Sequence, residues 1–220
     1  MSTLVDLSVP VFTGMPVYPG DPEVSMAPAL RAADDGVNVL RLHLGSQSGT
    51  HVDAPYHVDD TWPTLEGLPL DLFTGPAVVA DVRGLEPAAA ITPDHLAAAL
   101  PRLGPGVILV LCTGWAAHWE TDRYAAHPWL TTEAAQAVVD TGTRTVAVDA
   151  LSVDPSLEAG TALPAHRILC GAGAVIAENL TNLGPVAEAD AAGVPVELSL
   201  FPLRLTASDG APVRAVARLG

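Results

Sequence analysis

The sequence predicts an α/β fold built on a mixed sheet or partial barrel. Three observations carry that expectation. Short uncharged runs rich in Val, Ile and Ala recur along the chain, as in strands buried on both faces. Two segments with helix-capping residues alternate with them. Two helices are too few to cover both faces of a doubly wound sheet of the usual kind.

Taken in order, residues 5–12 read as a first strand. Residues 15–24, MPVYPGDPEV, carry Pro16, Pro19 and Pro22, which cannot join a regular ladder, so an ordered loop or arm is expected. Residues 37–44 are apolar and partly alternating, a strand pattern. Residues 77–82 and 107–112 are short Val-rich runs, the second being the longest apolar stretch. Between them, ITPDHLAAALPRL reads as a helix, with Thr92 as N-cap, Pro93 at the first helical position and Pro101 near its end. A second helix is expected over LTTEAAQAVVDTG, capped by Thr131 or Thr132, with Glu133 in its first turn and Gly142 past its end. Further strands follow at residues 145–149, 174–178 and 196–205.

The chain has 220 residues, 25 of them acidic and 10 basic, for a formal charge of −15; all the basic ones are Arg. A single domain spanning residues 1–220 is expected, since this length buries one large core. Such acidity argues against nucleic acid, whose binders cluster cations. The apolar fraction of 49% excludes disorder. No apolar run approaches the roughly 20 residues of a membrane span. MSTLVDLSVP offers no basic start and no apolar signal core, so a cytoplasmic location is expected. Cys112 and Cys170 lie in apolar surroundings, read chiefly as buried free thiols, with a disulfide or reactive thiol as the alternative.

The most informative segment is SQSGTHVDAPYHV, residues 46–58. In an extended chain, residues two apart project to one side, which would group Gln47, His51 and Asp53. His-x-Asp then presents an imidazole and a carboxylate to one point, a suitable start for Zn²⁺ or Mn²⁺. Pro55 ends the strand, so the direction of His57 is not set by parity. The plain alternative is that His51 and His57 are satisfied structural groups and Asp53 caps a turn. A second cluster, PAHRILCGAGAVIAENL, holds His166 and Glu178. Glu178 ends an apolar strand, where a buried charge requires a cation, either a metal or an Arg such as Arg167.

GTHVDAPYH, with VDALSVD, AHRILCGAGAVIAENLTNL and the closing FPLRLTASDGAPVRAVA, resembles the cyclase family, which includes bacterial kynurenine formamidases and isatin hydrolase-like enzymes. The resemblance runs over essentially the whole chain. It implies a swivelling β/β/α fold and a divalent metal centre, Zn²⁺ or Mn²⁺, of one or two ions. His51 and Asp53 would ligate metal, Asp53 as a bridge, with His166 and Glu178 completing a second position. His57 would be the catalytic acid/base. Gln47 stands where the family usually has a ligating His, so it would be a weaker, harder amide donor. His43 lies too far along the chain to replace it. Asp149, Ser152 and Asp154 are expected to orient ligands. Tyr18 corresponds to an aromatic position in the formamidase arm, so Tyr18 and Trp62 are candidate substrate-pocket walls, with ordinary packing as the alternative. Trp115 and Trp119, four apart, are expected to pack. Asp209 and Gly210 read as a turn, and Arg214 as a partner for a buried acid.

The resemblance implies hydrolysis of a small amide, lactam or lactone by metal-activated water, in a homodimer or homotetramer. Two other functions are open on the sequence. One is metal-dependent ring closure or dehydration on the same scaffold, distinguished by whether solvent ¹⁸O enters a carboxylate product. The other is a metal-poor, non-catalytic binding relative, distinguished by metal content.

Overall fold

The computed structural model describes residues 2–157 and 162–220. Among these residues the strands are β1 (Thr3–Asp6), β2 (Ser25–Leu30), β3 (Val39–His43), β4 (His51–Asp53), β5 (Thr74–Asp81), β6 (Ala90–Ile91), β7 (Ile108–Cys112), β8 (Trp129–Leu130), β9 (Thr145–Val148), β10 (Val175–Glu178), β11 (Val196–Ser199), β12 (Gly210–Pro212) and β13 (Val216–Leu219). The α-helices are α1 (Ala32–Asp35), α2 (Thr132–Asp140), α3 (Pro164–Gly171) and α4 (Leu183–Ala191). Nine strands form one mixed sheet, ordered β1-β13-β11-β5-β7-β9-β10-β4-β12. The run β5-β7-β9-β10 is parallel, and every other neighbour in the sheet is antiparallel. The sheet curls into a half-barrel, in keeping with the mixed α/β expectation.

Strand parity sorts the core into two layers. Ala77, Val79, Ile108, Val110, Val175 and Ala177 pack on one face with Leu183, Val186 and Ala187 of α4. Val78, Ala80, Leu109, Leu111, Val146 and Ile176 pack on the other with Ala134, Ala135 and Val138 of α2 and Ala165 and Leu169 of α3. A strand covered on both faces has no polar side to alternate with, which is why these runs are continuously apolar. Helix α2 begins as expected, with Thr131 Oγ1 accepting from Ala134 N at 3.2 Å.

Several expectations are corrected. The helix expected at ITPDHLAAALPRL is two short 3₁₀ turns, Pro93–Leu96 and Leu100–Arg102. Pro101 lacks the N–H a helix needs there and disfavours helical geometry at the preceding residue. Thr92 does cap the first turn, with His95 in the reciprocal role. Of the two expected helices only α2 forms, and α1, α3 and α4 are unexpected. The first strand ends at Asp6, with only an isolated bridge between Ser8 and Leu180 beyond it, ahead of Pro10. Strand β3 leaves the main sheet and pairs only with β2, forming an exposed hairpin with Leu40 and Leu42 facing solvent. Trp115 lies in a 3₁₀ turn and is buried, and Trp119 packs edge-on against Tyr124. Arg214 pairs with Asp6, an exposed rather than a buried acid. Both cysteines are buried and free. No helix among the described residues is long and apolar enough to cross a membrane.

Candidate metal centre

The site lies between the sheet and α3, and parity puts it there. Val52 of β4 belongs to the layer under α4, so His51 and Asp53 point to the opposite face. In β10, Glu178 shares parity with Ile176 of the α3-side layer. Antiparallel register places Glu178 opposite His51 and Ile176 opposite Asp53. Helix α3 buries Ala165, His166, Leu169 and Cys170, one helical face, and so aims His166 at the same point.

Four buried side chains meet there. His51 Nε2 lies 3.5 Å from Asp53 Oδ1 and 3.7 Å from Glu178 Oε2. His166 Nε2 lies 3.6 Å from Asp53 Oδ2 and 3.5 Å from Glu178 Oε1. Each carboxylate thus turns one oxygen toward each imidazole. These separations exceed normal hydrogen bonds. They match two donors on a common tetrahedral ion, which at bonds of about 2.1 Å sit about 3.4 Å apart. Asp53 is fully buried, and neither of its oxygens has a hydrogen-bond partner. An ionised carboxylate buried without partners is very costly unless a cation meets it. The residues therefore fit a divalent metal, with His51, Asp53 and Glu178 grouped closely enough for one ion.

The surrounding bonds orient these donors. His51 Nδ1 contacts Gly49 O at 2.8 Å, and His166 Nδ1 contacts Asp154 Oδ2 at 2.7 Å, leaving each Nε2 lone pair for the centre. Asp154 also accepts from the backbone N–H groups of Ala165 and His166, satisfying the open first turn of α3. Val153 N donates to Glu178 Oε1. Burial, reinforced by Asp53, pushes Glu178 up to about 7. For His166 burial opposes protonation, but Asp154 and Asp53 outweigh it and push the imidazole up to about 10.

The other expected residues fall as follows. Residues 46–50 form a turn rather than an extended strand, since Gly49 adopts φ +67°, so parity does not reach Gln47. Gln47 nevertheless lines the cavity, with its amide nitrogen 2.8 Å from Asp209 Oδ2. His57 ends a 3₁₀ turn, Pro55–His57, its ring centroid 5.7 Å from that of His166. Burial disfavours its charged form, but Asp53 and Asp209 outweigh that and raise its pKa. Tyr18 lines the cavity, which measures about 280 Å³ and has Pro16, Val17, Leu151 and Leu163 as apolar walls. Trp62 packs behind α3, against Gly171, and is not among the lining residues. Arg167 makes no pair with Glu178 among the described residues. Asp149 accepts from Thr113 and Gly114 and so fixes the turn after β7. Ser152 lines the cavity. Sequence reasoning gave no site role to Asp21, which lines the cavity, or to Asp209; Asp209 lies 162 positions from Gln47, and no local spacing joins them.

The family model "Putative cyclase" matches residues 5–155. The chain belongs to that family. A kynurenine formamidase of Salinibacter ruber is 36% identical over 221 residues, covering 98% of this chain and 97% of its own length. A solved structure described as a potential metal-dependent hydrolase with cyclase activity is 26% identical, with a TM-score of 0.79 over 99% of this chain and 98% of that one. An isatin hydrolase bound to the product analogue thioisatinate shares the fold, with a TM-score of 0.85 at 20% identity, over 99% and 92% of the two chains. These likenesses, together with the buried His/Asp/Glu cluster, indicate a metal-dependent hydrolase.

Proposed function

We propose that this protein hydrolyses a small N-acyl compound of the formamide type, in the manner of a kynurenine formamidase. The box of two imidazoles around two carboxylates, with Asp53 lacking any hydrogen-bond partner, carries the reading. His51 with Asp53 Oδ1 and Glu178 Oε2 would hold one ion, and His166 with Asp53 Oδ2 and Glu178 Oε1 a second. One imidazole with carboxylate oxygens suits Zn²⁺ or Mn²⁺. A cation there supplies Lewis acidity towards water and a carbonyl oxygen.

The chain's own groups do the rest. The apolar walls and Tyr18 bind the organic part of a substrate and exclude bulk water from the centre. His57, on the cavity wall beside His166, takes a proton from the attacking water and returns it to the leaving nitrogen. Asp21, also on the wall, adds negative charge that favours a substrate with a cationic group away from the reacting carbonyl. Free buried thiols fit a reducing, cytoplasmic setting. The exposed Leu40 and Leu42 of the β2–β3 hairpin support assembly as a homodimer or homotetramer.

The test is a panel of formamides, lactams and lactones assayed with Zn²⁺ or Mn²⁺, after chelation, and in His51→Ala. Formamide hydrolysis that vanishes on chelation, with metal lost in the variant, supports the proposal. Full activity without metal, or no turnover of any panel member by metal-loaded protein, overturns it.

A further inference from the structure

We infer that Asp209 is the positioning residue for His57, and that Gln47 and Ser46 serve the site by holding Asp209. This rests on the hydrolase reading for its kinetic consequence, though not for its geometry.

Asp209 directly precedes β12, the edge strand beside β4, and its carbonyl accepts from Ala54 N at 2.8 Å. That pairing brings the end of the chain to the metal-bearing strand. The carboxylate then meets three donors. Oδ1 accepts from Ser46 Oγ at 2.8 Å, and Oδ2 from Gln47 Nε2 at 2.8 Å. His57 Nδ1 lies 3.3 Å from the same Oδ2. A carboxylate only accepts, so the Gln47 amide turns its nitrogen to Asp209, and that nitrogen also lies 3.3 Å from His57 Nδ1. With the amide committed to the carboxylate, the His57 proton is assigned to Nδ1, facing Asp209. The other ring nitrogen, Nε2, is thereby left with its lone pair, the form a general base requires.

Gly210 makes room for this cluster. A Cβ at that position would lie 2.7 Å from Gln47 Nε2 and 2.5 Å from Val52 O. Gln47 therefore occupies space that only glycine leaves open, with its nitrogen committed to Asp209. The working metal donors are then His51, Asp53, His166 and Glu178.

The experiment compares wild type, Asp209→Asn and Gln47→Ala. Long-range ¹H–¹⁵N correlation on histidine-labelled, metal-free protein reads the His57 tautomer, assigned by loss of its signals in His57→Gln. Wild type should show Nδ1 protonated, and Asp209→Asn a shift toward Nε2 protonated. With formanilide as substrate and metal restored, kcat in Asp209→Asn should fall about 100-fold, with KM within about threefold and metal content unchanged. Gln47→Ala should fall about tenfold with metal retained, and it also reads the brace if Asp209→Asn fails to fold. An unchanged tautomer and kcat in Asp209→Asn, or loss of metal in Gln47→Ala, overturns the inference. Should metal-loaded wild type turn over no substrate, the hydrolase reading fails while the tautomer still decides the positioning role.

Discussion

Replacing Asp154 should damage fold and metal binding together, because one carboxylate serves both. Its Oδ1 accepts from Ala165 N at 2.8 Å, and its Oδ2 from His166 N at 2.9 Å and His166 Nδ1 at 2.7 Å. The side chain is fully buried. Bonds to a charged acceptor are worth about 1.5–3 kcal/mol each, and a capping group about 1 kcal/mol. The three share one acceptor and do not add, so Asp154→Ala should cost about 4 kcal/mol, with two helix N–H groups left dry. For a chain of this size that lowers Tm by roughly 10 °C. Asp154→Asn can keep both His166 bonds but turns an amide N–H toward Ala165 N, for about 2 kcal/mol. Freed from Asp154, His166 loses its orientation, and metal affinity should drop about 10- to 100-fold. Denaturant melts of metal-free protein give the first number, and calorimetric titration with Zn²⁺ or Mn²⁺ the second. An Asn variant within about 0.5 kcal/mol of wild type, binding metal equally well, would show that Asp154 neither caps α3 nor orients His166.

Chelated protein should lose stability as pH rises from 4.5 to about 7, because Glu178 is protonated in the fold up to about 7 but has an ordinary value of 4.5 when unfolded. His166, pushed up to about 10, extends the decline above 6.5 with the same sign. Melts with and without metal should thus show a larger metal effect at the higher pH; equal increments across the range count against the buried charge cluster. Gly210→Ala should destabilise by about 2 kcal/mol and weaken activity, since its Cβ would strike Val52 O and the Gln47 amide; a variant with wild-type melting would refute that contact. Cys112, pushed up to about 12 by burial and Asp149, and Cys170, raised further chiefly by burial, should resist a thiol reagent in the native state and both react once unfolded. Rapid native labelling would contradict their burial.

Much of the site was legible because its first half is local. His51 and Asp53 are two apart on one strand, so parity alone aims them together. His166 and Glu178 stood out as a second cluster, Glu178 as a charge ending an apolar strand, but only the family resemblance tied them to the first pair. The same parity rule failed at Gln47, where the left-handed Gly49 turns the chain before the strand begins. Propensity likewise misjudged residues 91–103, where Pro101 limits the chain to two 3₁₀ turns.

Sequence alone therefore determined the α/β class, the buried strands and the donor types, since these follow from periodicity and side-chain chemistry. Only the tertiary structure decided that Asp53 is buried with neither oxygen hydrogen-bonded, and that Asp209 reaches across 152 positions to His57. Both depend on which strands become neighbours in the sheet, β10 and β12 on either side of β4. That order is set by the packing of the whole core, and no short stretch of sequence encodes it.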